Sequence, residues 1–272
     1  MLRPDLVVTP IRTSTVLIDC GGTTVLTDPW FGDRMSGRKV IRQPAISLAD
    51  LPRIDIVLAS HLHTDHFDRS AVAVLAGRNP DLVVIGVRGT RRFMLESGDS
   101  SALDASVVHM KPWREVTVGP MRVLATPAKH TGPAPAEVNY VVDLHGWRLF
   151  FGGDARFSDA FGQVAQRCDD IDLALVPVGG TLIWGKRTTM APEDAVKACS
   201  VLGARYAIGI HEGGEWPAMP PVSRHPGRRV DFNRLLGAAD TLCEPLDAGP
   251  GRFAVLADGR QAMVQPIGAV AA

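Results

Sequence analysis

The sequence is poor in features that mark particular protein classes. Its 272 residues contain four cysteines, Cys20, Cys168, Cys199 and Cys243, which lie far apart and form no CxxC pair. A disulfide framework is normally denser in cysteine, so we expect four reduced thiols. No run of eighteen apolar residues is present, which argues against a membrane-spanning segment. The N-terminus lacks the charged head and apolar stretch of a secretory leader, and a cytoplasmic location is therefore expected.

The chain also lacks net charge. Lys plus Arg and Asp plus Glu number 29 each, so the formal charge is zero. Without a global positive field, we expect a small-molecule substrate as the partner rather than nucleic acid. A local basic patch and assembly into a homo-oligomer both remain open.

The pattern of apolar residues indicates a mixed α/β protein. A hairpin is predicted over residues 15–27, closed by Gly21-Gly22, and two more hairpins turn at Gly119-Pro120 and His145-Gly146. Strands are also predicted over 56–59, 82–85, 173–176 and 206–210, and helices over 70–76, 90–97, 192–202 and 232–238. No linker or repeat divides the chain, so we expect one domain over residues 1–272.

The most informative segment is Ser60-His61-Leu62-His63-Thr64-Asp65-His66, directly after the apolar strand at 56–59. This HxHxDH motif places four potential metal ligands within six residues. Imidazole and carboxylate groups suit borderline cations such as Zn²⁺. A loop at a strand end can turn alternate side chains to different sides, so His61 and His63 can face one ion while Asp65 and His66 face a second.

Three further candidate ligands follow apolar strands. His130 comes after the strand that ends near Ala125, Asp154 follows Leu149–Phe151 through Gly152-Gly153, and His211 follows Ala207–Ile210. Sites in open α/β architectures gather beyond the carboxyl ends of strands, so these side chains are expected to converge on the HxHxDH loop.

These motifs resemble the metallo-β-lactamase superfamily, whose order is HxHxDH, a distant His, an Asp after an apolar strand and Gly, and a final His. Within it, the chain looks like the branch of ascorbate-6-phosphate lactonases and N-acyl-phosphatidylethanolamine phospholipases D. The stretches that carry this closer resemblance are Thr27–Trp30, Thr126–His130 and Met190–Val196. The resemblance implies a four-layer αββα sandwich of two mixed β-sheets with helices on the outer faces.

The resemblance also implies two divalent metal ions. His61, His63 and His130 would bind the first ion, Asp65, His66 and His211 the second, and Asp154 would bridge them. Zn²⁺ is the preferred cofactor, while Mn²⁺ and Fe²⁺ stay open because these ligands accept all three. A hydroxide bridging the ions would attack a small anionic ester, lactone or phosphodiester, with Asp65 and His66 as catalytic residues.

Substrate contacts are less constrained by sequence. Candidates are Trp30, Lys129, Arg156, Trp184 and His225. Asp28 is predicted either to cap a loop or to hold a ligand His from behind. Glu212-Gly213-Gly214-Glu215 after the final His, and Ala155-Arg156 after Asp154, depart from the pattern of that branch and are expected on the pocket rim.

Two alternatives to a small-molecule hydrolase are a nucleic-acid phosphodiesterase and a non-hydrolytic di-iron redox or sensor protein. Zero net charge argues against the first. The di-iron branch of this fold typically has Glu at the second motif His, whereas this chain has His63, and that difference favours hydrolysis.

Overall fold

A computed structural model describes residues 2–98, 105–130, 137–215, 217–220 and 222–268. The helices are α1 (Arg69–Arg78), α2 (Thr90–Leu95), α3 (Ala160–Arg167), α4 (Pro192–Leu202) and α5 (Arg229–Ala238). The strands in the first half are β1 (Leu6–Arg12), β2 (Thr15–Cys20), β3 (Thr23–Thr27), β4 (Arg34–Met35), β5 (Arg38–Lys39), β6 (Ile56–Leu58), β7 (Val83–Val87), β8 (Ser106–Met110), β9 (Glu115–Val118) and β10 (Met121–Pro127). The later strands are β11 (Val138–Leu144), β12 (Trp147–Phe151), β13 (Leu173–Pro177), β14 (Leu182–Ile183), β15 (Lys186–Arg187), β16 (Tyr206–Ile210), β17 (Ser223–Arg224), β18 (Glu244–Pro245), β19 (Arg252–Leu256) and β20 (Met263–Pro266).

Two large mixed sheets form the centre of the fold. The first has the order β20-β19-β1-β2-β3-β6-β7-β8, and the second has the order β18-β16-β13-β12-β11-β10-β9. Strands β3, β6, β7 and β8 run parallel, as do β12, β13 and β16. A smaller sheet, β15-β14-β17, and the hairpin β4–β5 lie outside these two sheets.

Side-chain alternation along the strands builds the four layers. On β6, Ile56 and Leu58 belong to the core between the sheets, whereas Val57 packs in the outer core that includes Val72 of α1. On β12, Phe151 faces the inner core, while Phe150 packs in the outer core that contains residues of α3, α4 and α5. Strands β6, β13 and β16 are buried at every position and contain no charged residue, as expected for strands covered on both faces. The αββα sandwich predicted from the family resemblance is therefore confirmed.

Most predicted elements are present with shifted ends. Helix α4 spans Pro192–Leu202 as predicted and ends at Gly203 in the left-handed conformation. Helix α5 begins at Arg229, three residues before the prediction. Helix α3 and the C-terminal hairpin β19–β20 were not predicted. Strand β19 pairs with β1 at the other end of the chain, and no local pattern encodes that pairing.

The strand directions bring the predicted ligands to one edge. Strand β10 runs in the same direction as β12, because each is antiparallel to β11 between them. The carboxyl ends of β10, β12 and β16 therefore meet at the same edge of the second sheet. The parallel strands β3 and β6 of the first sheet end beside them. Among the described residues, no helix is long and apolar enough to cross a bilayer.

Candidate metal centre

The predicted ligands come together at this edge. One group contains His61, His63, His130 and Asp154, and a second contains Asp65, His66 and His211; within each group the potential ligand atoms lie within 4.8 Å of one another. The first sheet contributes the loop after β6, and the second contributes the residues after β10, β12 and β16. The site thus lies between the two sheets, which explains why its donors are scattered along the sequence.

Asp154 belongs to the first group and also lies close to side chains of the second. Its Oδ2 lies 3.6 Å from His130 Nε2 and 3.8 Å from His66 Nε2, and its Oδ1 lies 3.5 Å from His211 Nε2. Four ligands held at 2.0–2.1 Å around a tetrahedral cation are about 3.3 Å apart. The observed separations are close to that value, so the side chains need only small shifts to share a cation.

Two potential metal-ligand atoms have no hydrogen-bond partner within the described part of the chain. His66 Nε2 and Asp154 Oδ1 are both buried and unpartnered there. Buried polar atoms are nearly always satisfied, because leaving one unpaired costs about 1–3 kcal/mol. Both atoms belong to side chains of the two groups of nitrogen and oxygen ligand atoms described above. The residues present therefore fit a bound divalent cation.

Asp28 holds this loop from behind. Its Oδ1 accepts the Ser60 backbone N–H at 2.7 Å, while its Oδ2 lies 2.7 Å from both Ser60 Oγ and His66 Nδ1. With both oxygens occupied, Asp28 is not available as a ligand, although it lies near His61 and His66. It orients His66 so that Nε2 faces the site. Of the two roles considered for Asp28, the structure supports the second.

Glu137 is a functional candidate that the sequence did not reveal. Its Oε1 accepts the Asp154 backbone N–H at 3.1 Å, and its Oε2 lies 3.6 Å from His130 Nδ1. The His130 Nδ1 atom is also 3.2 Å from the Thr188 carbonyl. Glu137 directly precedes β11 and belongs to no short motif. Only the pairing of β11 with β10 and β12 brings it behind two predicted ligands.

The protonation of the cluster reflects its burial and its charges. Burial lowers the pKa of His61 well below its usual value, and nearby imidazoles, led by His66, lower it further. Burial also lowers the pKa of His66, but Asp65, Asp28 and Asp154 outweigh this effect and raise it to about 10. The neighbouring carboxylates thus favour the protonated form of His66 in the metal-free site. A bound cation would take the place of that positive charge.

Two backbone positions bring the ligands close together. Gly153 has φ +48°, and a Cβ there would lie 2.6 Å from Ser60 Oγ, so only glycine lets the strand end approach the HxHxDH loop. His211 also has a positive φ of 49°, which is unusual for a residue with a side chain. Its backbone N–H donates to the Thr13 carbonyl at 2.8 Å. These contacts hold the conformation that points His211 at the site.

A cavity of about 720 Å³ opens onto the donor cluster. Its walls are mainly apolar and are formed by Met35, Leu62, Phe93, Ile183, Trp184, Met219 and Val222, together with a few polar residues. His63, Asp65, His130, Asp154 and His211 form its floor. The size is typical of small-molecule sites. A substrate in this cavity would place an apolar group against these walls and a polar group at the floor.

The structure separates the five predicted substrate residues. Trp184 and His225 line the cavity, and His225 Nδ1 lies 3.1 Å from Thr181 Oγ1. Trp30 is only 2% exposed, and the Arg12 guanidinium stacks 3.7 Å from its ring, so this prediction is corrected to a core residue. Lys129 and Arg156 are not among the residues that line the cavity. Lys129 is exposed, and Arg156 donates to the Arg187 carbonyl at 3.3 Å.

The residues after His211 also differ from expectation. Glu215 is buried 3.8 Å from Arg12, and Glu212 contacts Arg42 and Arg229, so neither lies on the cavity rim. Gly213 lies against the His225 segment, where a Cβ would be 2.2 Å from the His225 carbonyl oxygen. This glycine lets the loop that carries His225 pack beside His211. Positions 216 and 221 of the same loop lie outside the described residues.

Comparison with known proteins gives a consistent result. A family profile described as "Beta-lactamase superfamily domain" matches residues 23–211. The N-acyl-phosphatidylethanolamine-hydrolyzing phospholipase D 1 of Caenorhabditis elegans is 30% identical over 74% of this chain, which spans 62% of that relative's length. A UPF0173 metal-dependent hydrolase of Nitratidesulfovibrio vulgaris is 29% identical, with 89% of this chain and 92% of the relative covered. The solved structure of Igni18, a metallo hydrolase from Ignicoccus hospitalis, matches with a TM-score of 0.71 at 16% identity, over 93% of this chain and 98% of its own.

Proposed function

This chain belongs to the metallo-β-lactamase superfamily, and from that starting point we propose that it is a metal-dependent hydrolase that cleaves an amphiphilic ester, lactone or phosphodiester. The proposal places one cation among His61, His63 and His130 and a second among Asp65, His66 and His211, with Asp154 between them. The observation that carries it is the opening of this donor cluster into a cavity with apolar walls. Residues 1–272 would act as one domain, because both sheets supply donors.

The charge of the site supports two cations. Four carboxylates are buried around it, those of Asp28, Asp65, Glu137 and Asp154. Within the described ranges, every basic side chain that lies within 4.0 Å of these carboxylates is a histidine, and none is Lys or Arg. Burial raises the pKa of Asp28 and of Glu137, so ionising these acids together is unfavourable unless positive charge compensates them. A pair of divalent cations would supply that charge in place of the proton on His66.

The chain's own residues would orient the reacting groups. His61, His63 and His130 would hold one cation and Asp65, His66 and His211 the other; when bound, the cations would supply Lewis acidity and lower the pKa of a water molecule toward about 7. Asp65, whose Oδ2 lies 3.8 Å from His66 Nε2 and 3.7 Å from His211 Nε2, would orient that water molecule. Asp28 fixes the direction of the His66 ring. The apolar walls limit the access of other water molecules, which strengthens these electrostatic contacts.

The lining of the cavity supports an amphiphilic substrate. Among the described residues, Lys186 is the only basic side chain of the Lys or Arg type that lines the cavity. It lies on the β14–β15 hairpin, close in sequence to Trp184. An anionic group near Lys186 would leave the apolar part of the substrate against Leu62 and Phe93. The C. elegans relative is named for hydrolysis of N-acyl-phosphatidylethanolamine, which supports including phosphodiesters among the candidates.

A substrate series tests this proposal. Metal-quantified protein is assayed with p-nitrophenyl esters and γ-lactones of increasing acyl length, and with bis(p-nitrophenyl) phosphate. If the apolar walls bind the acyl chain, kcat/KM should rise about three- to four-fold for each added methylene until the cavity is full, since each buried methylene contributes about 0.8 kcal/mol. Activity that falls with chain length would contradict the amphiphilic substrate.

The matched control is His63→Ala, because His63 is a half-buried ligand whose removal leaves no buried partner charge behind. Hydrolysis that survives in this variant does not belong to the proposed site. Metal analysis of the same preparations distinguishes zinc from iron and so tests the di-iron alternative. The ratio of metal to protein tests the number of cations.

A further inference from the structure

Three segments at the mouth of the cavity each contain basic and apolar residues and no acidic residue. They are the hairpin at 34–39, the hairpin at 182–187 and the strand with its following turn at 222–228, and together we refer to them as the mouth surface. Met35, Ile183, Trp184 and Val222 of these segments line the cavity. Strands β14, β15 and β17 form one small sheet, so the second and third segments are joined by backbone hydrogen bonds.

The mouth surface is strongly basic although the whole chain is neutral. Its cationic residues are Arg34, Arg38, Lys39, Lys186, Arg187, Arg224 and Arg228, and its sequence contains no Asp or Glu. All seven are exposed. None of them has an ion pair with a carboxylate within 4.0 Å in the described part of the chain, whereas nearby Arg42 and Arg229 do. The three segments that contribute residues to the cavity lining therefore carry seven exposed positive charges, one of which, Lys186, lines the cavity itself.

Exposed apolar side chains project from the same surface. Trp184 is 67% exposed and Ile183 is 43% exposed. Trp184 also has φ +49° in the two-residue turn Trp184-Gly185, a position at which Gly, Asn or Asp is strongly preferred. A bulky aromatic residue here lowers stability through both its backbone conformation and its exposure. Its presence is explained if the side chain contacts something outside the protein.

From these observations we propose that the mouth surface docks on an anionic lipid bilayer. Basic side chains are attracted to acidic headgroups, each raising membrane affinity about five-fold. Trp is favoured at the level of the headgroups, where one end of its ring system is apolar and the other is polar. The apolar cavity opens directly behind Trp184, so a docked molecule would receive an amphiphile from the bilayer without passing it through water.

A nucleic acid is the other polyanion that such a surface could attract, and the structure favours the bilayer. Phosphodiester backbones are bound by cationic groups, and single strands also stack on aromatic rings. Neither interaction accounts for Ile183 at the tip or for an apolar cavity lined by Leu62, Phe93 and Met219 behind it. An oligonucleotide is therefore included as a competing arm of the test.

Vesicle sedimentation tests the proposal without relying on catalysis. The full-length, metal-loaded protein is mixed with vesicles of phosphatidylcholine alone or with about 30 mol % phosphatidylglycerol, at an ionic strength of about 0.1 M. We expect binding to the anionic vesicles, little binding to the neutral ones, and release when the ionic strength is raised to about 1 M. Equal binding to both vesicles, or to neither, would overturn the proposal, as would tighter binding of a single-stranded oligonucleotide.

Matched variants locate the surface. The double variant Arg38→Glu, Lys39→Glu should weaken binding to anionic vesicles by at least about 25-fold. Trp184→Asn, which suits the turn, should weaken it about ten-fold through lost apolar burial. The control Arg53→Glu, Arg260→Glu makes the same charge change elsewhere. Arg53 precedes β6 and Arg260 follows β19, and both of these strand ends lie at the edge of the first sheet that is opposite the donor cluster. An equal loss in this control would assign the binding to net charge and reject the mouth surface.

Hydrolysis is measured separately in the same variants. The Arg38→Glu, Lys39→Glu variant should retain the metal content and the turnover of a short, water-soluble ester, because neither residue lines the cavity. Loss of vesicle binding with retained turnover supports docking. Absence of hydrolysis in every variant, with vesicle binding intact, would contradict the proposed function and leave the docking surface standing.

Discussion

Asp28 shows how much of the metal centre depends on a residue outside the ligand motif. It lies 32 residues before Ser60 in sequence, yet its carboxylate contacts Ser60 Oγ and His66 Nδ1 at 2.7 Å. Both contacts are buried. A carboxylate that accepts from a ligand imidazole fixes the ring and makes its other nitrogen a better donor to a cation.

Replacing Asp28 should therefore weaken metal binding. We expect Asp28→Asn to lower zinc affinity by about 10- to 100-fold, because the His66 ring loses its charged acceptor. Competition with a chromophoric chelator measures the change. Asp81→Asn, an exposed site far from the cluster, serves as the control and should leave the affinity unchanged. Equal affinities in Asp28→Asn and the unaltered protein would show that Ser60 alone orients the loop.

Replacing Glu137 should affect the stability of the metal-free protein and its zinc affinity differently. Burial and the neighbouring Asp154 raise the pKa of Glu137 well above its usual value, so its ionised form is unfavourable without cations. Glu137→Gln should not lower the free energy of unfolding of the metal-free protein. It should lower zinc affinity about ten-fold or more, since one compensating negative charge is lost.

Urea unfolding with chelator present and zinc competition test the two parts for Glu137. Glu115→Gln, which changes an exposed acid on β9, is the matched control. A large loss of stability in the metal-free Gln variant, with zinc affinity intact, would make Glu137 a purely structural residue.

At the scale of elements, α1 continues directly from the ligand loop. Asp68 caps the helix, with its side chain accepting from the Ser70 and Ala71 backbone N–H groups at 3.1 and 3.2 Å. It also accepts from Phe31 N at 3.3 Å, which ties the helix start to the loop after β3. The cap therefore ends the HxHxDH segment and begins the outer helical layer.

Removing this cap should destabilise the helix start. Asp68→Ala is expected to lower the free energy of unfolding by about 1 kcal/mol, within the usual range for N-caps. Asp68→Asn keeps a side-chain oxygen and should retain most of the stability. Urea denaturation of the metal-loaded protein measures both, and equal losses in the two variants would contradict a capping role.

Element prediction succeeded where the signal was local. The hairpin β2–β3 and helix α4 are marked by Gly21-Gly22, Pro192 and Gly203, whose conformational preferences act within a few residues. Strand β19 was missed because its partner β1 is more than 240 residues away. Helix α3 was missed because it is short and contains Gly162.

For the whole molecule, cation binding should contribute to stability. Removal of metal leaves the carboxylates of Asp28, Asp65, Glu137 and Asp154 buried together. Each site filled at 100 times its Kd adds about 2.7 kcal/mol, and a chain of this size gains about 2–4 °C in Tm per kcal/mol. Chelation should thus lower Tm by at least about 5 °C, and added zinc should restore it.

Calorimetry with and without chelator measures this shift. The Asp154→Asn variant, which weakens the group shared by both donor sets, should show a smaller shift than the unaltered protein. A Tm that does not respond to chelator or to zinc would contradict the proposed centre.

The net charge of the sequence predicts only part of how charge is distributed over the molecule. The zero formal charge excludes a global field, but it does not report where the charges lie. The mouth surface combines seven cations without an acidic partner within 4.0 Å among the described residues, and its first segment is about 150 to 190 residues from the other two in sequence. The local basic patch left open by the sequence is therefore present.

The sequence alone determined the candidate metal ligands and their order, because metal ligands are restricted to a few residue types and each candidate follows an apolar strand recognisable by itself. It also determined the superfamily, through the HxHxDH motif and the three later ligands. The tertiary structure decided what stands behind and around those ligands. Asp28, Glu137, the burial of Trp30 and the basic mouth all depend on pairings between distant strands, and burial and distance are properties of the packed chain that short-range patterns do not encode.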